Sequence, residues 1–195
     1  MALPSQYLDA TVMFTDIAGF TTLSEDLEAA EVADLLNQHF TILATCVEAE
    51  GGIIDKYLGD GMLTFWGAPD KANDWAKRAC RAALAIRSVM NADNASRAAA
   101  GLAAIRLRIG IHRGLLVVGN IGAPGRINFT IVGDTVNVAQ RLQEGARNIT
   151  STDAVTILVS EPVMHDAGAD FYFLNSGAMS LKGRHEAVNT FAIMG

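Results

Sequence analysis

The sequence predicts an α/β (α+β) domain, a ferredoxin-like βαββαβ core carrying additional strands and helices. Three observations point to it. A short apolar strand near the N terminus runs into a long stretch of helical period. A glycine-punctuated hairpin follows at Gly51–Trp66, GGIIDKYLGDGMLTFW. A second long helical stretch then leads into an alternating strand. At 195 residues the chain has the length of one domain with a substantial core. No repeat, low-complexity segment or linker divides it, so residues 1–195 read as a single domain, with 1–8 as a boundary segment.

Leu8–Thr15 is the first strand, its VMF run suited to a central position in a sheet. Over Thr22–Glu50, Leu23, Leu27, Val32, Leu35, Leu36, Phe40, Leu43 and Val47 recur at helical steps, with a bend expected near Ala29-Ala30. The early acids Glu25, Asp26, Glu28 and Glu31 suit the positive end of the helix dipole. Gly51-Gly52 ends this helix. Ile53–Leu58 and Met62–Trp66 form the hairpin around Gly59-Asp60-Gly61. Gly67-Ala68-Pro69 breaks the chain before a helix over Asn73–Asn94, and Ala95–Ala103 reads equally as helix tail or loop. Ile105–His112 alternates as a half-buried strand, and Arg113-Gly114 turns it into another strand, Leu115–Val118. A glycine-rich loop, Gly119–Gly125, precedes a strand at Arg126–Val132 and a helix at Asp134–Arg147 with Val136, Ala139, Leu142 and Gln143 on one side. Ala154–Val159, Phe171–Leu174 and Val188–Met194 read as strands and Glu161–Ala167 as a short helix, with the helices packed mainly on one face.

Composition narrows the function classes. Half of the residues are apolar and 18% are charged, a balance that favours a folded core over disorder. The net charge of −6 argues against a nucleic-acid backbone as main partner. Cys46 and Cys80 lack metal-ligand spacing and read as buried thiols of a reducing compartment. No apolar run approaches the roughly 20 residues of a membrane span, and the start lacks a signal peptide's regions. The expectation is a cytoplasmic segment, cut from a longer protein.

Asp16 ends the first strand beside a helix start, and Asp60 sits in the hairpin turn. If that strand pairs with the hairpin, both reach one edge, where two hard carboxylates suit Mg²⁺ or Mn²⁺. Each could equally be a turn or cap residue. Ile17-Ala18-Gly19-Phe20-Thr21 leaves backbone N–H groups free to face an anion, but lacks the lysine of a GxxxxGK[ST] loop. Asn137 and Arg141, four apart on one helix face, pair an amide with a fork-shaped cation suited to a phosphoryl group, or form a solvated stripe. Lys56, an ammonium in an apolar ribbon, needs an acceptor. A purine ring would serve, and so would Asp55 or Asp60. Thr130 precedes the helix on a strand. His112 reads as structural, and His39, His165 and His185 share no spacing with acids or cysteines.

Together FTDIAGFT, GGIIDKYLGDGMLTFWGAP, RIGIHRGLLVVGNIG and FTIVGDTVNVAQRL resemble the class III nucleotide cyclase catalytic domain, in order, from about Ala10 to the C terminus. The resemblance implies a bacterial-type adenylate cyclase that makes 3′,5′-cyclic AMP and pyrophosphate from ATP with two divalent metal ions. Asp16, Asp60 and the Ile17 carbonyl would hold the metals. The backbone of Gly19, Phe20 and Thr21 would touch the triphosphate. Lys56 and Thr130 match the purine-selecting pair, in which adenine N1 accepts from Lys and its 6-amino group donates. Guanylate cyclases usually carry Glu and Cys there. Asn137 and Arg141 match the pair that orients the ribose and stabilises the transition state. Arg184 would bind phosphate, with Lys182 as the competing assignment. The resemblance further implies a head-to-tail homodimer with two shared sites, a fused sensor domain and, from Thr130, a subgroup that often responds to bicarbonate. The alternatives are a guanylate cyclase and a catalytically silent nucleotide-binding or dimerisation module. A diguanylate cyclase would need a GG[DE]EF turn where this hairpin has LGDGM.

Overall fold

The computed structural model describes residues 5–67, 74–180 and 187–194. Strand β1 (Gln6–Ile17) is followed by a short helix α1 (Phe20–Ser24) and the long α2 (Ala29–Ala49). The hairpin β2 (Ile53–Leu58) and β3 (Gly61–Trp66) comes next, then α3 (Trp75–Ala99). Strand β4 (Leu107–Ala123) returns through β5 (Arg126–Val132) into α4 (Asp134–Gly145) and a 3₁₀ turn, Ala146–Asn148. The chain closes with β6 (Val155–Ser160), α5 (Glu161–Ala167), β7 (Phe173–Met179) and β8 (Val188–Ile193).

The four core strands lie in the order β2-β3-β1-β4, and the sheet continues through β6, β8 and β7 while β5 pairs with β4. Strand β1 is antiparallel to both of its neighbours, β3 and β4, as the ferredoxin-like arrangement requires. Period-two alternation in β1 then decides what each face does. Met13 and Ile17 join Ile109, Ile111, Ile157 and Val159 in a core covered by α2, α3 and α5. Ala10 and Val12 face the other way, with Leu63, Phe65, Leu116 and Ala139, the last of these from α4. The long helices α2 and α3 and the short α5 therefore share one face, as expected, and α4 packs on the opposite one. No helix among the described residues is long and apolar enough to cross a membrane.

Several expectations are corrected. The first strand starts at Gln6, inside the segment read as a boundary. The helix expected from Thr22 is two helices, because residues 25–28 leave the helical path and Glu28 starts α2 anew with a reciprocal capping box to Glu31. The two strands and glycine loop read over 105–125 are one 17-residue strand. Gly114 and Gly119 are there for close approach, not for turning. A Cβ on Gly114 would sit 2.8 Å from Thr135 Oγ1, and one on Gly119 would sit 2.7 Å from Ser5 Cα. The turn falls instead after Ala123, where Gly125 takes a φ of +82°. Strand β7 also lies later than the Phe171–Leu174 expected, at Phe173–Met179.

Candidate active site

The site grows from the end of β1. Register pairs Thr15 with Met62, so the β2–β3 turn is carried to the point where β1 ends. Gly59 turns the chain with a φ of +64°, and a Cβ on Gly61 would lie 2.6 Å from the Thr15 carbonyl. Only glycine permits that closeness. Asp60 thus reaches β1, where its Oδ2 accepts the Ile17 N–H at 3.1 Å. Asp16 stands beside it, its carboxyl raised above the ordinary carboxylate range first by burial and then by the charge of Asp60. Arg108, directly across on β4, and Gln143 oppose that rise. Gln143 Nε2 donates to Asp16 Oδ2 at 3.2 Å.

Such a pair is a fit for a divalent cation. Two half-paired carboxylates are costly side by side until a positive charge joins them. Among the described residues no group of three or more His, Cys, Asp or Glu competes as a metal centre.

A second cluster lies further up the hairpin. Strand β2 bulges between Ile54 and Lys56, so the ladder skips Asp55. Asp55 Oδ1 accepts the Ile131 N–H at 3.2 Å, and its Oδ2 accepts the Thr130 hydroxyl at 2.8 Å. Lys56 Nζ donates to Thr130 Oγ1 at 2.7 Å and lies 3.1 Å from Asp55 Oδ2. The Asp55 side chain is 2% exposed and that of Lys56 38%. Of the acceptors considered for Lys56, the structure supplies Asp55.

Between the hairpin and α4 opens a cavity of about 540 Å³, lined among others by Phe14, Asp16, Lys56, Arg108, Val136 and Gln143. Helix α4 is pressed onto β4 at Gly110, where a Cβ would run into the Ala139 carbonyl and the Gln143 amide. Its residues divide by face. Val136, Gln140, Gln143 and Glu144 line the cavity. Asn137 and Arg141 occupy an adjacent exposed stripe outside that lining, with Arg141 Nη1 held 2.9 Å from Glu144 Oε2. The structure thus brings Asp16 to Asp60 and Lys56 to Thr130, and leaves Asn137 and Arg141 off their cavity.

Gly19, with a φ of +72°, precedes the short helix α1 that begins at Phe20 and includes Thr21. Arg184 and Lys182 lie outside the described residues. His112 is buried, its Nδ1 2.7 Å from Ser160 Oγ. Both cysteines are buried free thiols, and burial pushes Cys80 up to about 12. Of the polar residues lining the cavity, sequence reasoning singled out Asp16 and Lys56 and missed Arg108, Gln140, Gln143, Glu144 and Arg147. Alternation over Ile105–His112 puts Arg108 on the face opposite Ile109 and Ile111, and Gln143 shares its helix side with Val136, Ala139 and Leu142. A glutamine on an otherwise apolar face is itself a signal, because a buried amide needs a partner.

The model of the adenylate and guanylate cyclase catalytic domain matches residues 3–195. Adenylate cyclase 1 of Rhizobium meliloti (strain 1021) is 38% identical over 187 residues, covering 96% of this chain and 28% of the relative. Adenylyl cyclase CyaB from P. aeruginosa superposes with a TM-score of 0.90 at 33% identity, covering 99% of this chain and 97% of that one. Guanylyl cyclase Cya2 follows with a TM-score of 0.86 at 30% identity, over 100% of this chain and 95% of that one. The chain spans about a third of the length of the first curated relatives it matches, 28% and 36%.

Proposed function

The chain belongs to the adenylate and guanylate cyclase catalytic-domain family, and from that premise we propose that it converts ATP to 3′,5′-cyclic AMP and pyrophosphate at a site completed by a second copy of itself. The observation that carries this reading is a cavity lined by both Asp16 and Lys56. It sets a cation-seeking carboxylate and a base-reading ammonium against the same volume. Solved relatives include an adenylyl and a guanylyl cyclase, so the preference for ATP rests on Lys56 and Thr130.

Asp16, Asp60 and the Ile17 carbonyl hold two divalent ions, Mg²⁺ or Mn²⁺. When bound, these supply Lewis-acid activation of the ribose 3′-hydroxyl and neutralise charge on the triphosphate. Lys56 donates to adenine N1 and Thr130 accepts from the 6-amino group. The backbone of Gly19, Phe20 and Thr21 faces the triphosphate, and Arg184 is the further phosphate contact. Asn137 orients the ribose, and Arg141 stabilises the charge that develops on the α-phosphoryl group. Because both reacting groups belong to one substrate, holding the 3′-oxygen against the α-phosphorus supplies much of the rate.

Asn137 and Arg141 form an exposed stripe outside the cavity lining, and in this reading they serve the partner's site in a head-to-tail, two-fold homodimer. On docking, Arg141 leaves Glu144 for the partner's substrate. The relatives' greater length supports a fused regulatory domain, and bicarbonate is the activator to try first.

The test is cyclic nucleotide formation from ATP and from GTP, with Mn²⁺, with Mg²⁺ and with chelator. Metal-dependent cyclic AMP with little cyclic GMP is expected. A preference for GTP would overturn the reading of Lys56 and Thr130. Absence of any product from a verified dimer would indicate a silent nucleotide-binding module.

A further inference from the structure

We propose that Asp55 fixes the direction of the Thr130 hydroxyl, and so makes the site read the 6-amino group of adenine and reject a 6-oxo purine. The inference rests on the adenine-reading assignment of Lys56 and Thr130, and adds a residue with no part in that assignment.

The direction follows from what each group is able to do. A lysine ammonium only donates hydrogen bonds, and an ionised carboxylate only accepts them. Thr130 Oγ1 stands between the two, 2.7 Å from Lys56 Nζ and 2.8 Å from Asp55 Oδ2. Its single proton must point at Asp55. The other acceptor within reach is the Ile131 carbonyl at 3.5 Å, a longer contact to an uncharged group. What remains on the Thr130 oxygen for a ligand is a lone pair.

Asp55 is placed for this by the fold. The bulge after Ile54 puts it off the β2 ladder, and the Ile131 N–H anchors its other oxygen at 3.2 Å. With the side chain 2% exposed, water does not compete for Oδ2. Lys56, 38% exposed, spends donors on Thr130 and Asp55 and retains a third N–H. The substrate therefore meets an acceptor at Thr130 and a donor at Lys56.

Adenine matches that pattern, with a donating amino group at C6 and an accepting N1. A 6-oxo purine reverses both. Its O6 would face the Thr130 lone pair with no proton between them, and its N1–H would face an ammonium. A threonine alone would not discriminate in this way, since a free hydroxyl rotates to donate or accept as the ligand requires. Asp55 removes that freedom. It is a positioning residue, acting through Thr130 without touching the base.

The experiment measures kcat/KM for ATP, GTP and inosine triphosphate. The proteins are the wild type, Asp55→Ala, Asp55→Asn, Thr130→Val and the Asp55→Ala/Thr130→Val double variant, each checked for folding and dimerisation. Asp55→Ala should lower the ATP-to-GTP ratio by about tenfold or more. Asp55→Asn should do the same, because the Ile131 N–H claims its one oxygen. The double variant should show the ratio of Thr130→Val, since without the hydroxyl there is nothing for Asp55 to orient. Wild-type enzyme should reject inosine triphosphate as it rejects GTP. Asp55 variants that lose activity on all three substrates equally, while Thr130→Val shifts the ratio, would overturn this inference and leave the base assignment standing. If Thr130→Val leaves the ratio unmoved as well, the base assignment fails with it. Should neither Asp55 variant fold, the wild type decides, and use of inosine triphosphate at the rate of ATP would overturn the proposal.

Discussion

Two carboxylate clusters involve the same hairpin, one within it and one where its turn meets the end of β1, and they differ in almost every electrostatic respect. Around Asp55 the pairing is closed, with a backbone N–H, a hydroxyl and an ammonium from within the chain. Around Asp16 and Asp60 it is open. Two like charges adjoin, burial and mutual repulsion raise Asp16, and one amide and one backbone N–H are their hydrogen-bond donors. The closed cluster is complete within the chain, and the proposed function gives it the work of recognition. The open one has Arg108 as its facing cation, and the proposed function gives it the work of taking up a metal ion. The lesson is that stability and function should separate at the open cluster and stay joined at the closed one.

The largest effect should come from Asp16→Asn. It removes a half-buried like charge while keeping the shape, so cyclic AMP formation should fall by about 10³-fold or more. The melting temperature should hold or rise by a few degrees, roughly what about 1 kcal/mol supplies in a domain of this size. A matching fall in melting temperature would break the comparison.

Acid stability has a source away from both clusters and must be separated from them. His39 on α2 is 2% exposed, neither ring nitrogen has a hydrogen-bond partner among the described residues, and burial lowers it from 6.5 to about 4. The unfolded chain takes up this proton at a higher pH than the folded one. Its contribution is therefore complete above about pH 6.5 and lost as pH falls toward 4. The loss should reach about 3 kcal/mol, read by urea titrations across that window. His39→Leu should flatten the profile, and whatever pH dependence survives belongs to the carboxylates.

Lys56→Met should show the opposite of Asp16→Asn. Stripping the cation from a buried carboxylate should cost about 1–2 kcal/mol of stability, discounted for the exposure of the ammonium, alongside lost selectivity for ATP. A Lys56 variant as stable as the wild type would show the closed cluster to be less closed than its geometry.

The smallest effect sharpens the open side. Gln143→Leu removes the α4 donor to Asp16 and should weaken Mn²⁺ binding, measured calorimetrically without nucleotide, by roughly tenfold. Unchanged binding would make that contact incidental.

The sequence made the open cluster legible because its parts are local. A strand end and a Gly-Asp-Gly turn are each visible in a few residues. The closed cluster was only half legible. Lys56 in an apolar ribbon demanded a partner, but the bulge that turns Asp55 toward Thr130, 75 positions away, leaves no mark in the pattern of β2. Strand β4 was misread for a related reason. A glycine needed for close approach looks the same in sequence as a glycine needed for a turn, and only the packed Thr135 and Ser5 distinguish them. Gln143 and Arg108 were assigned to faces by period, and period says which side a residue is on without saying what waits there.

A site shared between two copies requires α4 to present Asn137 and Arg141 away from their own chain's carboxylates. The most direct measurement mixes Asp60→Ala chains with Arg141→Ala chains, each inactive alone, and follows cyclic AMP formation. A heterodimer should recover one intact site from the two undamaged halves, restoring activity as mixed dimers form. Mixed dimers that demonstrably assemble and remain inactive would contradict a site shared between two copies.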